Sequence, residues 1–270
     1  MHFGIEVVPF GEYSNPRKVI ELAQAAEAAG WEAIWLWDHL LFPYGAGDPW
    51  VTLAAVATVT ERIKLCTGVA ALPRYRPPVL ARTLASIDIL SQGRMIFGVG
   101  AGVDFDFAPF GEAADAKTRG AMLDEGLEIV AGLIAGGPVT YHGRHYQAEA
   151  AQLVPACVQK PRIPIWIGGD SKAAYRRAAR WDGWIIGTID EQQNVTLPPA
   201  QLATRIQAIK SQRTGQDSFD IAVDGSTQPG ATAIVGEYAA AGATWWFEAI
   251  FGTRGSHEEM LQRIMAGPPR

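Results

Sequence analysis

The chain has 270 residues, 48% hydrophobic and 19% charged, with a net charge of −5 and two cysteines. That composition excludes a disordered or fibrous protein, and a chain of this length buries about 75% of its unfolded surface, so no disulfide or metal staple is required. The acidic balance argues against a nucleic-acid binder, Cys66 and Cys157 are too few for a disulfide framework, and no stretch reaches the ~18 apolar residues of a membrane span.

The opening MHFGIEVVPFGE lacks the basic and long apolar segments of a secretion signal, so a soluble, cytoplasmic protein is expected. Residues 3–8 then form an apolar run that predicts a buried strand. Pro16 opens a helix with Val19, Ile20, Leu22, Ala23, Ala26 and Ala29 at helical spacing, and Gly30 stops it. Residues 33–37 predict a strand and 49–60 a helix. The alternation continues through strand 63–70, helix 78–90, strand 95–99 and helix 117–135. Residues 136–161 read as an insertion after this fourth helix. Strands are then predicted at 164–167, 183–187, 219–223 and 244–250, with helices at 171–180, 199–213, 231–241 and 256–265. Eight strand–helix units with continuously apolar strands predict a (β/α)8 TIM barrel forming one domain over 1–270.

Catalytic groups of such barrels sit where strands end. The chemistry is therefore sought in eight windows: 9–13, 38–43, 70–74, 100–106, 168–171, 188–191, 224–228 and 248–254. Asp38 and His39 end the second strand. A lone histidine is structural by default, but this one stands beside a carboxylate at the barrel mouth, and histidine exchanges its proton near neutral pH. Gly98, Gly100 and Gly102 end the fourth strand. Val103 stands where a dinucleotide fingerprint needs a third glycine, so the run is either a tight turn or a backbone that a flat ligand approaches closely. Gly168, Gly169, Asp170 and Ser171 end the fifth strand and open a helix, giving either an anion-binding turn or a helix cap. His142 and His145 lie in a loop and are not expected to hold a metal. Arg176, Arg177 and Arg180 read as a solvated helix face.

Taken in order, the opening strand, Ala28-Ala29-Gly30-Trp31, Trp37-Asp38-His39-Leu40, Thr67-Gly68-Val69 with Leu72-Pro73 and Pro77-Pro78, Gly98-Val99-Gly100-Ala101-Gly102, Tyr141-His142-Gly143 and Pro164-Ile165-Trp166-Ile167-Gly168-Gly169 resemble the bacterial-luciferase-like family of flavin- and deazaflavin-dependent oxidoreductases. The resemblance covers nearly the whole chain and implies a flavin ring lying across the strand ends. It implies a non-proline cis peptide at Gly68-Val69 against the ring and His39 facing the ring's reactive side; the neighbouring carboxylate of Asp38 is expected to orient the imidazole. It also implies cofactor contacts from Gly100, Ala101, Gly102, Gly168, Gly169, Asp170, Ser171 and Thr188.

Two departures argue against a sugar-phosphate substrate: Val103, followed by Asp104, stands where sugar-phosphate-oxidising members have glutamate, and the loop after His39 reads Leu40-Leu41-Phe42-Pro43 without their tryptophan. Phe10, Phe42 and Phe105, with Tyr44 and Phe107, suggest an apolar or aromatic substrate. The expectation is an F420-dependent oxidoreductase working by hydride transfer. An FMN-dependent monooxygenase is the alternative, and a non-catalytic flavin-binding barrel the second alternative. The chain is short for the family, implying reduced lid-like insertions and a more open site, which favours hydride chemistry over a reactive peroxide. Alanine-rich outer helices (Ala54, Ala55, Ala57, Ala81, Ala85) and the family's habit suggest a homodimer.

Overall fold

The computed structural model describes residues 1–112, 115–215 and 217–270. The chain alternates strand and helix: β1 (His2–Val7), α1 (Pro16–Ala28), β2 (Ala33–Leu36), α2 (Pro49–Val59), β3 (Lys64–Thr67), β4 (Ala70–Ala71), α3 (Pro77–Leu90), β5 (Met95–Gly100) and α4 (Ala116–Ala135). After the hairpin of β6 (Val139–His142) and β7 (Gln147–Ala151) come β8 (Ile165–Gly168), α5 (Lys172–Ala178), β9 (Gly183–Ile186), α6 (Pro199–Lys210), β10 (Asp220–Gly225), α7 (Ala233–Ala240), β11 (Trp245–Ile250) and α8 (His257–Met265).

Helix starts follow local chemistry. Proline occupies the first turn of α1, α2, α3 and α6, where the missing N–H costs no helical bond. Asn15, Asp48, Asp115, Ser171 and Ser256 accept backbone N–H bonds as caps, and Ser256 forms a reciprocal capping box with Glu259.

The sheet runs β3-β2-β1-β11-β10-β9-β8-β5-β4 and closes through β3–β5, all pairs parallel. β3 and β4 are two pieces of one stave, so the barrel has eight staves, each leading to an outer helix. This is the (β/α)8 architecture expected from the sequence. The third stave departs from the continuous strand expected over 63–70: a cis peptide at Gly68-Val69 interrupts it, and pairing resumes at Ala70↔Val99. Residues 136–161 contain the β6–β7 hairpin, which extends outside the barrel sheet.

The core has two layers. A large cluster joins barrel to helices through Ile5, Leu36, Leu65, Phe97, Ile165 and Ile221 on the outward-facing side. A smaller one, with Trp35, Cys66, Trp166, Trp245 and Phe247, fills the barrel itself. Two glycines make room for those rings, since a Cβ at Gly4 would lie 2.4 Å from Phe247 and one at Gly183 would lie 2.4 Å from Trp166. The barrel is thus plugged below, and its mouth is where side chains meet open space.

Candidate active site

Successive residues of an extended chain point to opposite faces, and the end of β2 uses this rule. Trp35, Trp37 and His39 face the barrel mouth. His39 sits among Phe10, Trp37, Phe42 and Phe105, with the Phe105 ring stacked at 5.3 Å. Its Nδ1 lies 2.6 Å from Asp106 Oδ2. The other Asp106 oxygen accepts the backbone N–H groups of Leu40 and Leu41, each at 3.0 Å. Because a carboxylate can only accept, Nδ1 carries the proton and Nε2 is the nitrogen left to act in the cleft.

Asp38 does not orient His39, as the sequence had suggested. Its carboxylate turns to the loop after β4 and binds Ala71 N at 3.1 Å, Tyr75 Oη at 3.0 Å and Arg74 at 2.6 Å. Arg74 also approaches Asp106 Oδ2 at 3.1 Å, so one buried guanidinium ties both carboxylates together. Asp38 therefore acts through Arg74 and Asp106 rather than on the imidazole.

Beside His39 lies a cleft of about 420 Å³ lined by Trp35, Gly68, Val69, Gly100, Ala101, Gly102, Gly168, Gly169, Ser171 and Arg177, among others. Trp35 Nε1 donates to the Gly68 carbonyl at 2.6 Å, fixing the interrupted stave. Val69 is accommodated by the glycines on either side. A Cβ at Gly100 would come within 2.8 Å of the valine side chain, and one at Gly168 within 2.6 Å. Gly102 and Gly169 have φ values of +71° and +112°, which side chains rarely adopt. The cleft walls therefore combine glycine backbone with the side chains of Trp35, Val69, Ile185 and Arg177.

Two residues expected at the cofactor, Asp170 and Thr188, do not line this cleft. Asp170 is held by Arg205 Nε at 2.8 Å and by the Tyr175 hydroxyl, while the neighbouring Ser171 caps α5. Thr188 is fully buried and bonds Asp224, through its N–H to the carboxylate and its hydroxyl to the backbone oxygen. Asp104 pairs with Arg119 at 2.5 Å instead of entering the cleft. Conversely, Arg177 is not on a solvated face: it is buried, lines the cleft and pairs with Asp124 at 2.6 Å.

A second cavity of about 530 Å³ adjoins the first, with Glu6 and Trp37 in both linings. Phe10 and Phe42, stacked at 3.8 Å, form one wall. Its floor holds two carboxyl groups that had no assigned role in the sequence, Glu6 on β1 and Asp224 on β10, exposed by 1% and 2%. Trp37 Nε1 donates to Glu6 at 2.5 Å. Burial, with the neighbouring Asp224 charge, holds Glu6 well above the usual carboxylate range, and burial pushes Asp224 up to about 6. The signal was present in the sequence: a glutamate inside the apolar run Gly4-Ile5-Glu6-Val7-Val8 is a charge where none is tolerated unpaired. Among the described residues no cluster of His, Cys, Asp and Glu is arranged to hold a metal ion.

Residues 1–247 match the model of the luciferase-like monooxygenase family. The chain belongs to the luciferase-like monooxygenase family. The family's enzymes are oxidoreductases, and several of the chain's relatives carry the names of F420-dependent dehydrogenases. An uncharacterised protein of Mycobacterium tuberculosis is 31% identical over 78% of this chain and 78% of its own length. An F420-dependent glucose-6-phosphate dehydrogenase of Beutenbergia cavernae is 35% identical over 76% of this chain but 62% of its own. In fold, the barrel superposes on the coenzyme F420-dependent tetrahydromethanopterin reductase of Methanopyrus kandleri with a TM-score of 0.77 at 20% identity, covering 98% of this chain and 97% of that one.

The floor carboxyls make stability pH-dependent. Raised folded-state values mean that the native state holds protons the unfolded chain has lost above about pH 4. Stability therefore falls as pH rises from about 4 through 6, and further for Glu6. Glu6→Gln keeps the shape without the ionisation. Melting temperature plotted from about pH 4 to 8 should fall less steeply in Glu6→Gln than in the wild type, and parallel curves would mean the pair is ionised in the fold.

Proposed function

We propose that this luciferase-like protein is an F420-dependent oxidoreductase that transfers a hydride between the deazaflavin and a small apolar or aromatic organic molecule. The observation that carries the reading is the juxtaposition of a glycine-walled cleft, the His39–Asp106 pair and an apolar cavity. What supports a flat ring system there is that Gly100 and Gly168 let Val69 pack between them, where a Cβ at either would strike the valine, and that Gly102 and Gly169 keep backbone at the cleft in a conformation side chains rarely adopt. Val69, Ala101, Ser171 and Arg177 would hold the group alongside those glycines. When bound, a deazaflavin supplies or accepts a hydride at its ring carbon.

The chain's own residues do the rest. His39 Nε2 hydrogen-bonds the reacting heteroatom of the substrate or moves a proton to or from it. Asp106 holds the tautomer, and the aromatic wall excludes water. The second reading, an FMN-dependent monooxygenase, draws on the family's description and on the largely apolar cavity.

Titration of the purified protein with F420 and FMN, each oxidised and reduced, separates the two. Tighter F420 binding is expected; binding of reduced FMN alone would replace this reading by the oxygenase.

A homodimer is part of the same proposal. Val51 and Val59 on α2 and Val79, Ile89 and Leu90 on α3 are exposed apolar side chains on neighbouring helices. Light scattering at two concentrations should give twice the chain mass; a monomer at both would remove it.

A further inference from the structure

The larger cavity has walls of one character and charges of one sign. Phe10, Trp37, Phe42 and Phe251 supply apolar and π surface. Five carboxyl groups, Glu6, Glu12, Asp190, Glu191 and Asp224, also line it, and no Lys, Arg or His among the described residues does. Arg254, on the loop that carries Phe251, is spent elsewhere: it lies 2.7 Å from Glu248 and donates to Ala249 and Thr227 carbonyls. His39 approaches Phe10 and Phe42 but turns its Nδ1 to Asp106.

An anionic substrate would enter an apolar space where every charge it faced was of its own sign, with no cation to compensate its lost hydration. A cation gains on both counts. Its charge meets Asp224 on the floor and the rim carboxylates Glu12, Asp190 and Glu191, and its apolar groups and ammonium both find favourable contact with aromatic faces.

We infer that the cavity takes an apolar amine in its protonated form. That the amine is a substrate rests on the oxidoreductase reading, but the binding preference belongs to the cavity alone. It also accounts for a chain that is related to a sugar-phosphate dehydrogenase yet offers no basic residue in this cavity for a phosphate. A volume of about 530 Å³ suits a molecule with one or two rings.

The test is calorimetric titration of the full chain, without cofactor, at about pH 7.5. Three two-ring probes differ in charge: dibenzylamine, its isosteric dibenzyl ether, and 3,3-diphenylpropanoate, an anion of similar size. The amine is expected to bind about 10-fold tighter than the ether, with the carboxylate weakest. In Asp224→Asn the preference should shrink severalfold. Because that substitution is buried, the surface double variant Glu12→Gln with Glu191→Gln provides an independent check and should lower amine affinity while leaving ether affinity unchanged. Equal binding of amine and ether, stronger binding of the carboxylate, or no binding of the amine to folded protein overturns the inference. If the amine fails while F420 still binds, only this inference falls. If the amine binds and neither F420 nor FMN does, the oxidoreductase reading falls instead.

Discussion

His39→Ala is expected to lower kcat by about 10²- to 10⁴-fold while changing cofactor affinity by no more than a few-fold. The split follows from the geometry. His39 is one of many residues lining the cleft proposed for the cofactor, and Trp35, Val69, the Gly100–Gly102 and Gly168–Gly169 segments, Ile185 and Arg177 keep their places without the imidazole. The imidazole instead has one nitrogen fixed by Asp106 and the other left to engage a reacting atom. Asp106→Asn tests the same arrangement from behind. An amide can offer its N–H to Nδ1 and so favour the wrong tautomer, with Nε2 protonated and unable to accept. Its kcat should also fall, with the pH–rate profile displaced relative to the wild type. Steady-state kinetics with the cofactor identified by titration provides the measurement. A His39→Ala enzyme retaining more than half of wild-type kcat would remove the histidine from the chemistry and leave it as part of the aromatic wall.

The contrast between Asp38 and Asp106 shows where the sequence is informative and where it is silent. Strand–helix alternation is a local property, repeated eight times, so the barrel could be read from apolar runs and their Pro, Gly and Ser/Asp punctuation. The mouth windows followed from the fold class, and Asp38, His39 and Asp106 all fall inside them. Which carboxylate serves His39 is a tertiary question. Asp38 is adjacent in sequence, but its carboxylate turns to Ala71, Arg74 and Tyr75. Asp106 lies 67 residues away and reaches Nδ1 because Asp104–Asp106 forms a short 3-10 turn after β5. Thr188 shows the same limit: its position in a mouth window was legible, whereas its commitment to Asp224 depended on the packing of β10 against β9. Glu6 was the missed opportunity. Its charge within a buried run was visible in the sequence, and only its partner Asp224 required the structure.

Arg74→Met is expected to destabilise the protein by about 3–5 kcal/mol, because it strands two buried carboxylates at once. The Arg74 side chain is 4% exposed, and its partners Asp38 and Asp106 are 3% and 1% exposed. Methionine fills much of the same space, so the loss reports charge and hydrogen bonding more than a cavity. The remaining partners offset only part of it: Ala71 N and Tyr75 Oη still reach Asp38, and Leu40 N, Leu41 N and His39 still reach Asp106. Asp38→Asn in the Arg74→Met background should therefore recover stability, because it removes one of the stranded charges. The recovery is a coupling that additive single effects cannot give. Urea unfolding of the two single variants and the double variant measures it. A loss below about 1 kcal/mol in Arg74→Met would show that water or protonation relieves the carboxylates, as for an exposed ion pair. The same guanidinium contacts the Asp106 oxygen that binds Nδ1, so Arg74→Met should also loosen the imidazole and depress kcat even under conditions where the variant is fully folded.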